Sequence, residues 1–330
     1  ECMVPRLESE GTFDAYRLEM DIVPVVHAMR KRGVRLDLDA CDRAYKKFKQ
    51  QSQEALDEIY RKFNEKVRIE DVRRNDWLRW MFDLHKIPYP INPITGNASF
   101  EAKWMKGYDH DLPKLLVRAK SRDEAAEKFI ANYLLSYQVN GRLHASINQY
   151  KTEEGSGTRT YRFSYDSPPM QQMPSRDEEM SADVRGCFLP DEGEYWAKCD
   201  YSQQEYRLFV HFAELTAMNT KHLVNLEAVK AAADQYRANP KTDYHQLVAD
   251  MTGLARKPAK DCNFAKLYGA GGKKFASMIG KSLDDAMKIM NTYDGKFPFA
   301  KQMYELSQQR AQRTGKIKLL DGAVCHIDWS

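Results

Sequence analysis

Residues 256–269, with the sequence RKPAKDCNFAKLYG, carry a pattern of side chains that share one surface only if the segment is a helix. Arg256, Lys260, Phe264 and Tyr268 recur at intervals of four. Each step of four on an α-helix overshoots a full circle by about 40°, so the four side chains share one broad face. The pattern predicts a helix over 256–268 whose face carries two cations followed by two aromatic rings.

This face has two interpretations. The cations could clamp phosphates while the rings stack on a sugar or base, in the order found in a nucleoside triphosphate. Alternatively, the aromatics belong to the core and the cations are solvated. The chain has no GxxxxGK[ST] loop, which excludes P-loop nucleotide binding. His245, in the preceding TDYHQLVADMTG, is either a structural histidine or a further hydrogen-bond donor to a phosphate.

Composition sets the broad class of the protein. The chain has 330 residues, of which 42% are hydrophobic and 30% charged, enough for two or three subdomains. A formal net charge of +4 permits a polyanionic partner without requiring one. The cysteines are scattered without a CxxC pair, so we expect neither a disulfide framework nor a zinc site. No apolar run is long enough to cross a membrane, and a cytoplasmic location is expected.

Asp200 lies where a predicted strand, EYWAKCDY (194–201), passes into a predicted helix, QEYRLFVHFAEL (204–215). A carboxylate at that junction is well placed for ligand chemistry, although Asp is also a common helix N-cap. Further helices are expected over 13–33, 39–66, 75–86, 113–119, 122–139, 242–252 and 282–314, a strand over 141–150, and a hairpin over 315–330.

Three segments together resemble family A DNA polymerases, the DNA polymerase I type. KCDYSQQEYRLF (198–209) resembles motif A, DYSQIELR. RKPAKDCNFAKLYG resembles motif B, the O helix of the fingers, with its pattern RxxxKxxxFxxxYG. TRTYRFSYDSPPMQQMP (158–174) resembles the TGRxSSxxPNLQNIP segment, INQY (147–150) lies where the family has an NQ pair, and GVRLD (33–37) opens the thumb in the same way.

The resemblance implies an α+β right-hand polymerase fold, mostly helical with a partial antiparallel palm sheet. It implies that 1–38 lead into the thumb, 39–140 form the thumb, 141–215 form the palm with motif A, and 216–330 form the fingers. The function implied is template-directed DNA synthesis from dNTPs on primer–template DNA, with two Mg²⁺ ions as cofactors.

The resemblance also implies a role for each matching position. Asp200, with the carbonyl of Tyr201, would bind the metal ions, and Glu205 would exclude a ribose 2′-hydroxyl. Arg256 and Lys260 would clamp the phosphates beside His245, Phe264 would lie against the sugar and base, and Tyr268 would lie on the template side. Lys260 is also a catalytic candidate. Gln203 is expected to contact the dNTP, and the DNA-binding candidates are Asn148, Gln149, Arg162, Gln171, Gln172 and Arg185.

The sequence departs from the family pattern at several positions. Gln204 and Tyr206 replace the usual Ile and Leu, Tyr161 replaces Gly, and Ala265 replaces Gly, which is typical of a divergent, phage-like member. The HDE of motif C, which would supply a second carboxylate, is not recognised. HID at 326–328 follows a segment that resembles the fingers, so His326 and Asp328 are interpreted as fingers residues.

We therefore expect the chain to be a polymerase fragment, completed by a further C-terminal segment or by a second polypeptide that carries motif C. The main alternative is a non-catalytic subunit or remnant that binds primer–template DNA. A metal-dependent nuclease using Asp200 is a weaker alternative, because a nuclease has little use for the 256–268 face or for Glu205.

Overall fold

The chain folds mostly into helices, with short antiparallel sheets between them. The computed structural model describes residues 3–92, 95–151, 155–158, 160, 162–220, 223–319 and 322–327. The fold divides into two compact units, one of residues 19–197 and one of residues 1–18 and 198–330. The expected α+β class is confirmed. The four-part division into thumb, palm and fingers stays a prediction.

The described part of residues 1–197 contains eight α-helices. They are α1 (Val4–Glu10), α2 (Phe13–Arg32), α3 (Leu38–Phe63), α4 (Ile69–Val72), α5 (Asn75–Leu84), α6 (Ala102–Gly107), α7 (Asp111–Glu124) and α8 (Glu178–Arg185). The helices predicted over 113–119 and 122–139 are one continuous rod, because α7 passes directly into a π-helical segment, Ala125–Leu135.

Helix α3 shows how the sequence sets the length of an element. Asp37 caps its start by accepting a hydrogen bond from the backbone N–H of Ala40 at 2.8 Å. Asn64 ends it in a left-handed conformation, with φ 55°, which stops the helix short of the predicted residue 66. Its buried side chains recur at helical spacing and include Cys41, Phe48 and Ile59.

The sheets are small. Strands β1 (Val34–Leu36), β2 (Gln138–Val139), β3 (Arg142–Leu143) and β6 (Phe188–Leu189) form an antiparallel sheet in the order β2-β3-β1-β6. Strands β4 (Ser146–Asn148) and β5 (Ser164–Asp166) form a separate antiparallel pair. The strand predicted over 141–150 is therefore divided between β3 and β4.

The second unit is built from seven helices within the described part of 198–330, followed by a hairpin. The helices are α9 (Gln204–Asn219), α10 (Leu226–Ala238), α11 (Tyr244–Thr252), α12 (Arg256–Leu267), α13 (Gly272–Ile279), α14 (Leu283–Lys296) and α15 (Pro298–Thr314). The predicted hairpin is formed by β7 (Lys316–Lys318) and β8 (Val324–His326). Helices α10 and α13 were missed by the sequence analysis, and the helical stretch predicted over 282–314 is divided into α14 and α15.

The core of this second unit is a cluster of buried aromatic and small side chains. Its largest members among those at most 2% exposed are Tyr206, Tyr244, Tyr293, Phe275 and Phe299. The Tyr206 hydroxyl lies 3.3 Å from the Tyr293 hydroxyl, which gives both buried oxygens a partner. This core fixes α9, α11, α12 and α14 against one another and so provides the base on which α12 is held.

One predicted element is wrong. Residues 194–201 form no strand, and 192–202 are exposed to solvent throughout. A strand is stabilised by hydrogen bonds to a neighbouring strand, and no strand among the described residues pairs with this segment. Alternation of residue types alone was therefore insufficient evidence for a strand over 194–201. No helix within the described ranges has the length and apolar character that a membrane crossing requires.

Candidate functional site

Helix α12 forms as predicted over Arg256–Leu267, and Tyr268 is the residue that ends it, donating its backbone N–H to Phe264 O at 2.9 Å. Its inner side consists of Ala259, Cys262, Asn263 and Ala265, all at most 3% exposed. The small inner side chains let α12 approach α11 closely. The opposite side is left free to carry the polar and aromatic residues.

The outer side of α12 carries all four residues of the predicted face. The Arg256 side chain is 54% exposed. Lys260 is exposed, and its Nζ lies 5.6 Å from the centroid of the Phe264 ring, within the range of a cation–π contact. The Phe264 and Tyr268 rings are stacked, with centroids 6.3 Å apart and planes 18° apart. The structure therefore brings these residues together, and their role in binding stays a prediction.

His245 on α11 lies beside this face. It is 5% exposed, and its ring centroid is 5.8 Å from that of Phe264. The Nδ2 of the buried Asn263 faces two acceptors, His245 Nδ1 at 2.8 Å and the Tyr244 carbonyl at 3.4 Å. With Asn263 Nδ2 as the donor, Nδ1 accepts, and the neutral imidazole then carries its proton on Nε2. Burial lowers the pKa of His245, and the charges of Lys260 and Arg256 lower it further against the opposing effect of Asp243.

Asp243 links α11 to α12. Its Oδ1 caps α11 by accepting hydrogen bonds from the backbone N–H groups of His245 (2.9 Å) and Gln246 (3.2 Å). Its Oδ2 accepts from Arg256 Nε at 2.8 Å and lies 2.7 Å from the NH2 group of the same guanidinium. Burial would raise the pKa of Asp243, but Arg256 and the two N–H groups outweigh it and hold the pKa below its usual value.

Gln203 holds the backbone on both sides of Asp243. It has a left-handed φ of 53° and immediately precedes α9. Its Nε2 donates to the Thr242 carbonyl at 2.9 Å, and its Oε1 accepts from the Tyr244 backbone N–H at 3.2 Å and from the Tyr236 hydroxyl at 3.4 Å. The Gln203 amide thus already has three hydrogen-bond partners within the protein, and the predicted contact with a dNTP would compete with these hydrogen bonds.

Asp200 and Tyr201 lie in the exposed segment 192–202, and the Tyr201 side chain is 80% exposed. Within the described ranges, no group of three or more His, Cys, Asp or Glu side chains is arranged to hold a metal ion. Asp200 and the Tyr201 carbonyl by themselves do not complete a pair of Mg²⁺ sites.

Glu205 lies in the first turn of α9 and is half-buried. A carboxylate is favoured there by the unpaired N–H groups at the start of a helix. The next residue, Tyr206, packs in the aromatic core, with its ring centroid 4.9 Å from that of Tyr244. Desolvation raises the pKa of Tyr206 well above its usual value, so it is a permanently neutral core residue.

The DNA-binding candidates all lie in the unit of residues 19–197. Hydrogen bonds within this unit are formed by the side chains of Asn148, Gln149, Gln171, Gln172 and Arg185. Asn148 Nδ2 donates to Asp166 at 2.7 Å across the β4–β5 pair. Gln149 donates to the Glu19 carbonyl (3.1 Å) and to its carboxylate (2.9 Å). Both side chains are thus held in place by hydrogen bonds within this unit.

Of the remaining DNA-binding candidates, Arg162, Gln171 and Gln172 lie close to β5 in sequence, and Arg185 lies at the end of α8. Gln171 donates to the Phe163 carbonyl at 2.7 Å, next to the exposed Arg162. Gln172 accepts from the Tyr133 hydroxyl at 3.3 Å, and Arg185 donates to the Pro174 carbonyl at 3.0 Å. The structure brings Asn148, Arg162 and Gln171 together around β4 and β5. Tyr161 and Asp328 lie outside the described residues.

Comparison with known proteins identifies the family. The model of DNA polymerase family A matches residues 38–328. The chain belongs to DNA polymerase family A. A DNA-directed DNA polymerase of Pseudomonas phage M6 is 30% identical, over 97% of this chain and 54% of the relative. The DNA polymerase DpoZ of Salmonella phage PMBT28 is 29% identical, over 94% and 53%.

More distant similarity extends to bacterial family A polymerases. The DNA polymerase I of Geobacillus stearothermophilus is 24% identical, over 92% of this chain and 33% of the relative. The solved POL domain of Pol1 from M. smegmatis, in complex with DNA primer–template and dNTP, matches with a TM-score of 0.72 at 18% identity, over 93% of this chain and 52% of that chain. The chain spans about half the length of these two phage polymerases.

One departure from motif A, at Tyr206, has a structural reason. Tyr206, where the family has Leu, is accommodated because Tyr293 and Tyr244 surround its ring and the Tyr293 hydroxyl meets its own. Sequence reasoning missed Asp243 and Asn263 as parts of this site. Asp243 could have been found as an N-cap directly before a helix, and Asn263 as a polar residue on the inner side of α12.

Proposed function

We propose that this chain carries the nucleotide-binding and primer–template-binding parts of a template-directed DNA polymerase. The observation that carries the proposal is the outer side of α12, where two cations and two stacked rings lie in the order that a triphosphate, a sugar and a base require. A nucleoside triphosphate is the ligand class that uses both halves of this face.

In the proposed reaction the primer 3′-hydroxyl attacks the α-phosphorus of a dNTP, and pyrophosphate leaves. Arg256 and Lys260 neutralise the negative charge on the phosphates that leave, in a geometry that binding has already fixed. His245, with its proton on Nε2, is a neutral donor to the same phosphates. Phe264 packs against the sugar and base, Tyr268 lies on the template side, and Glu205 excludes a 2′-hydroxyl.

The metal ions of the proposal are Mg²⁺, and enzymes of this family are generally metal-dependent. Mg²⁺ would supply charge neutralisation on the phosphates, with Asp200 and the Tyr201 carbonyl as ligands. Two ions need a further carboxylate, which we assign to another segment or to a second polypeptide. Primer–template DNA is proposed to contact Asn148, Gln149, Arg162, Gln171, Gln172 and Arg185.

Primer extension on a labelled template tests this function. The chain is assayed alone and together with a polypeptide that carries an HDE motif, with dNTPs and Mg²⁺, and Asp200→Ala is the control. Extension in the mixture that Asp200→Ala abolishes supports the proposal. No extension in either assay, with primer–template binding intact, would instead support a non-catalytic DNA-binding role.

A further inference from the structure

Asp243 divides its two carboxylate oxygens between two tasks. Oδ1 caps α11, while Oδ2 contacts both Nε and NH2 of Arg256, at 2.8 and 2.7 Å. A guanidinium has two edges suited to paired contacts, one formed by Nε and NH2 and one by the two terminal nitrogens. Asp243 contacts the first edge, so the second edge is directed away from Asp243.

The Arg256 side chain remains 54% exposed despite this ion pair, so an anion in solvent can reach it. Arginine side chains carry a large rotamer entropy, and an arginine held on one edge loses less of it when the other edge binds a phosphate. Asp243 is itself fixed, because Gln203 hydrogen-bonds the peptide groups of Thr242 and Tyr244 on either side of it.

We propose that Asp243 is a positioning residue for triphosphate binding, which holds the Arg256 guanidinium so that its terminal edge faces the β- and γ-phosphates. This inference rests on the proposed function, because it assumes that α12 binds a nucleoside triphosphate. It adds a residue outside the four-residue face. It also assigns Gln203 a supporting role through Asp243 rather than a direct contact with the nucleotide.

Competition between Asp243 and the phosphates for Arg256 is the alternative that the experiment must exclude. A carboxylate beside Arg256 also reduces its positive charge, and a residue that only competed with phosphate would weaken triphosphate binding. Removing the charge of Asp243 would then tighten binding. The two accounts predict changes of opposite sign for the same substitution.

Asp243→Asn separates the two tasks of this side chain. Asparagine caps helices about as well as aspartate, so its oxygen keeps the contacts to the His245 and Gln246 N–H groups. Its NH2 group then faces the donors of Arg256, and the hold on the guanidinium is lost. The matched control is Asp37→Asn at the start of α3. Asp37 is similarly exposed (32% against 30%), but its nearest arginine nitrogen, on Arg43, lies 3.9 Å away.

The measurement is the equilibrium binding of dATP, and separately of inorganic tripolyphosphate, to the chain with primer–template DNA and Mg²⁺. We expect Asp243→Asn to raise the Kd of both probes about tenfold, the size expected for one charge-assisted contact. Asp37→Asn should leave both values unchanged. Thermal unfolding of Asp243→Asn should match that of the control, which separates a positioning role from a structural one.

A double substitution tests whether Asp243 acts through Arg256. In an Arg256→Ala background, Asp243→Asn should cause no further loss of affinity. Unchanged or tighter binding by Asp243→Asn, or an equal loss in both backgrounds, would overturn the inference while the proposed function stands. If the unsubstituted chain binds neither dATP nor tripolyphosphate, the proposed function fails and the inference fails with it.

Discussion

Helix α12 and the segment 192–202 both carry residues of family motifs, but the structure holds them in opposite ways. The outer residues of α12 stand on a buried inner side, with Asp243 and Asn263 bonded to Arg256 and His245. Asp200 lies in an exposed segment without regular structure, where Tyr195 is 93% and Tyr201 80% exposed. Contacts within its own unit hold α12 in place, whereas the segment that carries Asp200 is exposed and has no regular structure.

The difference follows from the two kinds of secondary structure. A helix satisfies its backbone hydrogen bonds internally, so the spacing of residues alone decides which side chains share a face. A strand takes its hydrogen bonds from neighbouring strands, so the position of each side chain depends on them. The side-chain positions of a motif on a helix can therefore be predicted from its own segment of sequence better than those of a motif on a strand.

The largest expected effect is the loss of primer extension when Asp200, in the exposed segment, is substituted. In the mixture with a polypeptide that carries an HDE motif, Asp200→Asn should lower primer extension by about a thousandfold or more, because it removes a charge proposed to bind metal ions. Its free energy of unfolding should change by less than about 0.5 kcal/mol, because the side chain is exposed. Extension rates and thermal unfolding measure the two quantities. Full activity of Asp200→Asn would contradict its assignment to the catalytic site.

Limited proteolysis compares the two regions directly. Chymotrypsin should cut after Tyr195, Trp196 or Tyr201 about tenfold or more faster than after Phe264, because cutting inside α12 requires the helix to unfold locally. Mass spectrometry of the first fragments measures both rates. Equal rates at the two places would show that α12 is no better held than the exposed segment.

A pair of glycine substitutions tests how the end of α12 is fixed. Gly269 and Gly253 both have a positive φ, +66° and +67°, but a Cβ at Gly269 would lie 2.2 Å from the Tyr304 ring and one at Gly253 would meet no atom within 4 Å. Gly269→Ala should therefore reduce the free energy of unfolding by about 1–3 kcal/mol more than Gly253→Ala. Denaturant unfolding measures the difference, and equal losses would contradict the packing of Tyr304 against residue 269.

The smallest expected effect is a pH dependence from His245. Burial lowers the pKa of folded His245 below 6.5, so protons bind the unfolded chain first and favour unfolding. The contribution of His245 is complete above about pH 6.5 and is lost as the pH falls towards the pKa of the folded state. The stability of His245→Gln should therefore fall less between pH 7 and 5 than that of the unsubstituted chain. Identical pH profiles would show that His245 is not buried in its neutral form.

The sequence predicted most of the second unit correctly, and for stated physical reasons. The face of α12 was predicted because four residues at a spacing of four have only one helical arrangement. Asp243 could not be assigned to Arg256 from the sequence, because the two are thirteen positions apart and meet only when α11 packs on α12. The strand over 194–201 was predicted wrongly, because alternation of residue types carries no information about whether a partner strand is present.

The most direct test of the central claim is the equilibrium binding of a dNTP to the chain with primer–template DNA and Mg²⁺, compared between Lys260→Ala and Lys274→Ala. Both lysines are exposed, but Lys260 lies on the outer side of α12 and Lys274 on α13. The account predicts that Lys260→Ala raises the Kd about tenfold or more, while Lys274→Ala leaves it unchanged. An equal effect of the two substitutions, or no effect of Lys260→Ala, would contradict the claim that the face of α12 binds the triphosphate.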